Sequence, residues 1–127
     1  MKLTLKSILD AGNDVKERIV LSVLENADVG DFLLTRNLAS GADVGLHVQN
    51  TFWFPYKEVE AGDIVVLYTR NGIATEKKNA NGTTSHFFYW GLDDSIWKED
   101  DVMPVLFQAP DWQSRSAASL RVRKLKA

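Results

Sequence analysis

The chain reads as an all-β domain, and three observations carry that reading. Eight of its thirteen aromatic residues stand in two short runs, Phe52-Trp53-Phe54-Pro55-Tyr56 and Phe87-Phe88-Tyr89-Trp90. Aromatic and β-branched side chains suit a pleated, half-buried surface better than a helix. Between the runs, Ala61-Gly62-Asp63 is a turn signal that feeds the apolar stretch Ile64-Val65-Val66-Leu67-Tyr68. Nowhere do apolar residues recur at the 3.6-residue period of an amphipathic helix. A β-sandwich or closed barrel follows, with no helix longer than two turns.

The elements come in order. Leu3, Leu5 and Ser7 alternate with Lys2, Thr4 and Lys6, a first strand that Ile8-Leu9 closes; Ala11-Gly12-Asn13-Asp14 turns. Arg18 to Leu24 is a β-branched second strand, Asn26 to Gly30 a loop, and Asp31 to Leu38 a third strand. Leu46 to Phe54 extends until Pro55, which has no N–H to donate and so ends a strand or sits at an edge. Ile64 to Arg70 is the strand with the clearest pattern. Asn71-Gly72 then opens a polar segment without an apolar anchor, predicting a mobile loop over about 71–84. Ser85 to Leu92, Val102 to Phe107 and the alternating Ser119 to Leu125 supply the last strands. Turn signals every 8–15 residues fit a single domain over residues 1–127.

Composition limits function. A formal net charge of −2 over 127 residues gives no global attraction to nucleic acid or an anionic membrane. The absence of cysteine removes disulfides, thiolate zinc sites and thiol nucleophiles together. The N-terminus has no apolar leader core, and no apolar run approaches the roughly 20 residues of a membrane helix. The expected compartment is the cytoplasm.

The order of several short motifs resembles that of the lamin-tail domain. Glu17 precedes the apolar strand Ile19 to Leu24, a later strand ends in Phe54-Pro55, and Val59-Glu60-Ala61-Gly62-Asp63 leads into Ile64 to Tyr68. Trp90 follows, then Trp97 before Asp100-Asp101-Val102, and Ser119 to Leu125 supplies the final strand. The likeness departs from the family pattern at Asp31-Phe32-Leu33, where a Gly-Trp is usual, and at Val102, where a Gly is usual. It implies a single immunoglobulin-like β-sandwich of about seven to nine strands. It also implies a non-catalytic interaction or attachment module, of a kind found in bacterial proteins, that binds a protein partner or associates with itself.

Candidate chemistry is sparse. Asp93, Asp94, Glu99, Asp100 and Asp101 could offer oxygens to a hard cation, but the spacing of a calcium loop is missing and Trp97 interrupts them. A solvated loop with Trp97 capping the core is the expectation, and no metal site is assigned. His47 and His86 have no ligand spacing; an imidazole facing solvent or bonded across strands is expected of each. No nucleophile elbow or phosphate loop occurs, so neither catalysis nor a cofactor is expected.

Two binding surfaces remain. In a strand, Phe87 and Tyr89 cannot share a face with Phe88 and Trp90, so some aromatic side chains lie outside the core. Trp53, Tyr56 and Tyr89 are the candidate partner contacts, since Trp and Tyr anchor protein interfaces. Alternatively, Arg115, Arg121, Arg123 and Lys124, with no acid after Asp111, form an anionic-ligand or nucleic-acid patch. The rival account of those bases is an edge strand whose Leu120 and Val122 face inward.

Overall fold

The alternating N-terminal segment forms β1 (Leu3–Leu9), and the apolar run after Glu17 forms β2 (Arg18–Val23). The computed structural model describes residues 1–122. After β2 come β3 (Ala27–Asp28), a 3-10 turn (Val29–Asp31), β4 (Phe32–Ser40), β5 (Asp43–Trp53) and β6 (Glu58–Val59). Then follow β7 (Ile64–Tyr68), β8 (Thr75–Lys78), β9 (Thr84–Tyr89), β10 (Val102–Gln108) and the one-turn helix α1 (Ala117–Leu120). The fold is all-β. No helix among the described residues is long and apolar enough to cross a membrane.

One sheet runs β1-β2-β7-β9-β8, a second β10-β4-β5, and β3 pairs with β6. Every pairing is antiparallel except β7 with β9. Parallel neighbours cannot be joined by a tight turn. Here the chain leaving β7 first forms β8 on the far side of β9, then returns through a turn at 79–83 to lay down β9 between them.

Alternation places the core. Ile19, Leu21 and Val23 of β2 and Val65 and Leu67 of β7 point to one cluster, joined by Leu3, Phe88, and Phe32 and Leu34 from β4. Phe54, at the end of the first aromatic run, meets Phe52 edge-on at 5.0 Å and Phe88 edge-on at 5.3 Å. Each fully buried aliphatic or aromatic side chain of this set is worth roughly 1.5–3 kcal/mol. Trp97 closes the cluster at 5 % exposure, as expected of a core cap.

A buried carboxylate holds the loops at one end. Glu17 is 1 % exposed. Its Oε1 accepts the N–H groups of Gly12 and Trp97, each at 3.0 Å. Its Oε2 accepts the Ile96 N–H at 2.9 Å and the Thr69 hydroxyl at 2.5 Å. At the chain's outer edges, the Lys2 N–H donates to Gln108 Oε1 at 3.2 Å, setting the start of β1 beside the end of β10.

Three sequence expectations need correction. The segment 71–84 is not all loop: Thr75–Lys78 forms β8, paired in register with β9 from Thr75↔Phe87 to Lys78↔Thr84. Its four side chains are exposed and polar, the usual dress of an edge strand. Second, no strand begins at Ser119. Residues 117–120 form α1, capped by Ser116, whose Oγ accepts the Ser119 N–H at 3.1 Å. Leu120 and Val122 are 56 % and 94 % exposed, so neither faces the core; Leu125 lies outside the described residues. Third, the described residues form ten strands, because β3, β6 and β8 are too short or too polar to carry a pattern.

Candidate functional site

β5 is the most distinctive surface element. It occupies an edge of its sheet, with β4 on one side and no strand of the described residues on the other. Between Asp43 and Lys57 the sequence has no Lys, Arg, Asp or Glu. Edge strands normally carry charge, proline or short length to prevent further pairing. β5 spans 11 residues and exposes Val44, Leu46 and Val48 at 46 %, 97 % and 46 %. Its register against β4 shifts near Asn37, where Gly45 packs against the Leu38 carbonyl too closely for any Cβ.

Trp53 ends this strand and Tyr56 follows it, and the structure brings them together around Gly30. The Trp53 Nε1–H donates to the Gly30 carbonyl at 2.7 Å. The Tyr56 ring lies over the same glycine, where a Cβ would stand 2.4 Å from Cδ1. Both rings are exposed, at 43 % and 64 %. Sequence alternation sets Phe52 and Phe54 on one face of the strand and Trp53 on the other, and the structure turns Phe52 and Phe54 inward and Trp53 outward. Alternation did not find Trp112, which meets Trp53 edge-on at 4.9 Å. A contact 59 positions downstream in an irregular segment leaves no periodic trace.

Tyr89 belongs elsewhere. It stacks on Tyr68 across the parallel β7–β9 pair, with centroids 5.2 Å apart. The Arg70 guanidinium lies 5.4 Å from the Tyr68 centroid and 5.2 Å from the Tyr89 centroid, and Arg18 lies 5.8 Å from Tyr68. This cation–π group stands on the five-stranded sheet, so the three expected partner contacts divide into two places. Of the basic candidates, Arg115 and Arg121 are exposed; Arg123 and Lys124 lie outside the described residues.

A cavity of about 550 Å³ opens between the β3–β6 pair and the β7, β8 and β9 end of the larger sheet. Asp63, the turn residue before β7, is its organising group. Its Oδ2 accepts the Glu60 N–H at 3.0 Å and faces His86 Nε2 at 2.9 Å, while Oδ1 accepts the Thr84 N–H at 2.9 Å. Burial pushes this carboxyl up. The donors from Glu60, His86 and Thr84 outweigh it and hold the group below its ordinary value of 3.8. His86, expected to face solvent or bond across strands, is buried and bonded. On the outer wall Glu76 stands opposite His86 and pairs with Lys57 at 2.7 Å, which lowers its carboxyl too.

Among the described residues no three of His, Asp and Glu are grouped to hold a metal ion. The acidic run stays at the surface: Asp93, Asp94, Asp100 and Asp101 are exposed, and Glu99 lies 3.5 Å from Arg36. Compared with protein-family models, curated proteins and solved structures, the chain matches none.

Proposed function

We propose that this protein is a non-catalytic interaction module that docks a protein partner, or a second copy of itself, along β5, with Trp53 and Tyr56 as anchors. One observation carries the reading: a long edge strand with no Lys, Arg, Asp or Glu after Asp43, ending in the exposed Trp53 with the exposed Tyr56 just beyond it. An extended segment added to such an edge gains main-chain hydrogen bonds, and neighbouring rings supply side-chain selectivity. The lamin-tail likeness, with an immunoglobulin-like sandwich built from the two larger sheets, supports the same class of function. The lack of cysteine fits a cytoplasmic setting. No hydroxyl of the described residues is hydrogen-bonded to the His86 imidazole, which supports a structural rather than nucleophilic use of the Asp63–His86 pair.

Sedimentation velocity on the wild type, Val48→Lys and Trp53→Ala, with a pull-down from cell extract, tests this. Concentration-dependent association or partner capture that both substitutions abolish is the expected result. A monomer that captures nothing yet shifts DNA or RNA with steep salt dependence would instead assign the function to the exposed arginines Arg115 and Arg121.

A further inference from the structure

The segment between β10 and α1 reaches the aromatic residues at the end of β5 through one side chain. It starts pinned: the Ala109 N–H donates to the Asp31 carbonyl at 2.7 Å, on the 3-10 turn that also carries Gly30. From Pro110 to Arg115 every residue is exposed, and no hydrogen bond joins them to any other described residue. What holds this stretch is Trp112, 51 % exposed, whose ring meets that of Trp53 edge-to-face at 4.9 Å with the planes 87° apart. The sheets are complete without it, since β10 ends at Gln108 and no strand follows among the described residues.

The surface that Trp112 touches is fixed in advance. Trp53 cannot pivot without breaking its bond to the Gly30 carbonyl, and the Tyr56 ring covers the same glycine. Asp28 Oδ1 holds the two chain segments together, accepting the N–H groups of Gly30 at 2.8 Å and Lys57 at 2.9 Å. Rings at right angles attract because the positive edge of one meets the negative face of the other. A pre-set tryptophan therefore selects a second aromatic ring, whichever chain carries it.

Resting on Trp53 and Tyr56 as the anchors of β5, we propose that this surface recognises an aromatic side chain on an extended segment of a partner, and that Trp112 is the tethered occupant such a partner displaces. Three residues carry the chain from its pin at Ala109 to Trp112, a reach of at most roughly 11 Å. A tether that short gives its ring an effective concentration in the millimolar range. A free segment offering one ring alone is held off by Trp112. One that adds main-chain hydrogen bonds along β5 displaces it.

The test follows the Trp53 indole N–H of the ¹⁵N-labelled full chain, wild type and Trp112→Ala. The probe is a capped peptide with the sequence of residues 109–115, and the same peptide with Ala in place of Trp is the control. Trp112→Ala is expected to move the Trp53 resonance and leave those of Trp90 and Trp97 in place. The probe should return it saturably toward its wild-type position, and the control should not. The wild type should bind the probe at least about threefold more weakly, because the tethered ring competes. An unmoved Trp53 resonance in Trp112→Ala would overturn the proposal, as would equal binding to both chains or shifts shared by the control. So would shifts in Trp112→Ala that stay linear to about 20 mM, well beyond the millimolar range of weak specific sites. Sedimentation velocity with the probe present separates this from docking along β5. Should the probe bind as expected while wild type and Trp112→Ala both stay monomeric and capture nothing, docking along β5 falls and the aromatic-binding surface stands. Association that Trp53→Ala abolishes but the probe leaves untouched keeps docking along β5 and sinks the displacement of Trp112.

Discussion

Replacing Glu17 by Gln keeps the shape of the side chain and halves what it can accept. Four donors converge on its two oxygens, and an amide NH2 would face two of them. Hydrogen bonds to a charged group contribute about 1.5–3 kcal/mol each, so Glu17→Gln is expected to cost about 2–4 kcal/mol in urea unfolding. Asp63 answers to pH. Its folded carboxyl titrates below its unfolded value near 3.8, so its contribution is fully present above that value and lost as pH falls through the lower folded one. The unfolding midpoint of Asp63→Asn, followed from pH 5 to pH 2.5, should fall less steeply than that of the wild type. The aromatic residues separate by depth. Trp90 packs on Phe52 and Trp97 at 5.8 and 6.2 Å, and Trp90→Ala should cost about 2–4 kcal/mol. Trp53→Ala, losing one hydrogen bond at an exposed site, should cost about 1 kcal/mol. The in-and-out order of Phe52, Trp53 and Phe54 was legible because a strand repeats every two residues. The Glu17 and Asp63 networks were not, since their partners stand up to 80 positions away.

At the level of elements, the sequence spoke clearly where one face of a strand is buried. β2, β4, β7, β9 and β10 each bury side chains against the core and were placed within a few residues. β8 was lost because an edge strand with no buried side chain has no alternation to read; its evidence lies in the partner it pairs with. The opposite error occurred at the C-terminus. In sequence Leu120 and Val122 alternate with Arg121 and Arg123, yet no sheet edge of the described residues receives Leu120 or Val122, and Ser116 with Ala117-Ala118 favours a helical turn. Leu120→Ser combined with Val122→Ser is therefore expected to leave the melting temperature within about a degree of the wild type, because exposed substitutions stay within about 0.5 kcal/mol. Differential scanning calorimetry decides it. A drop of several degrees would mean those residues pack in solution.

For the molecule as a whole, far-ultraviolet circular dichroism should show a β-dominated spectrum with helix far below the roughly one-third of average domains. Fold class could be read from composition and pattern, whereas sheet order could not. The parallel β7–β9 pair depends on a crossover whose outgoing arm, β8, left no signal. The hydrogen bond from Lys2 to Gln108 has a further consequence for connectivity. With residues 109–127 left out, two strand ends this close can be spliced by a short glycine-serine bridge at little entropic cost, because loop closure grows only slowly with length. The chain can then be reopened at the exposed 79–82 turn, where a Cβ on Gly82 would meet open space. Such a circular permutant should keep the wild-type spectrum, and its β8 and β9 would sit at opposite ends of the new polypeptide. The linear order of these strands is thus separable from their spatial order, which leaves this architecture open to insertion into a host loop.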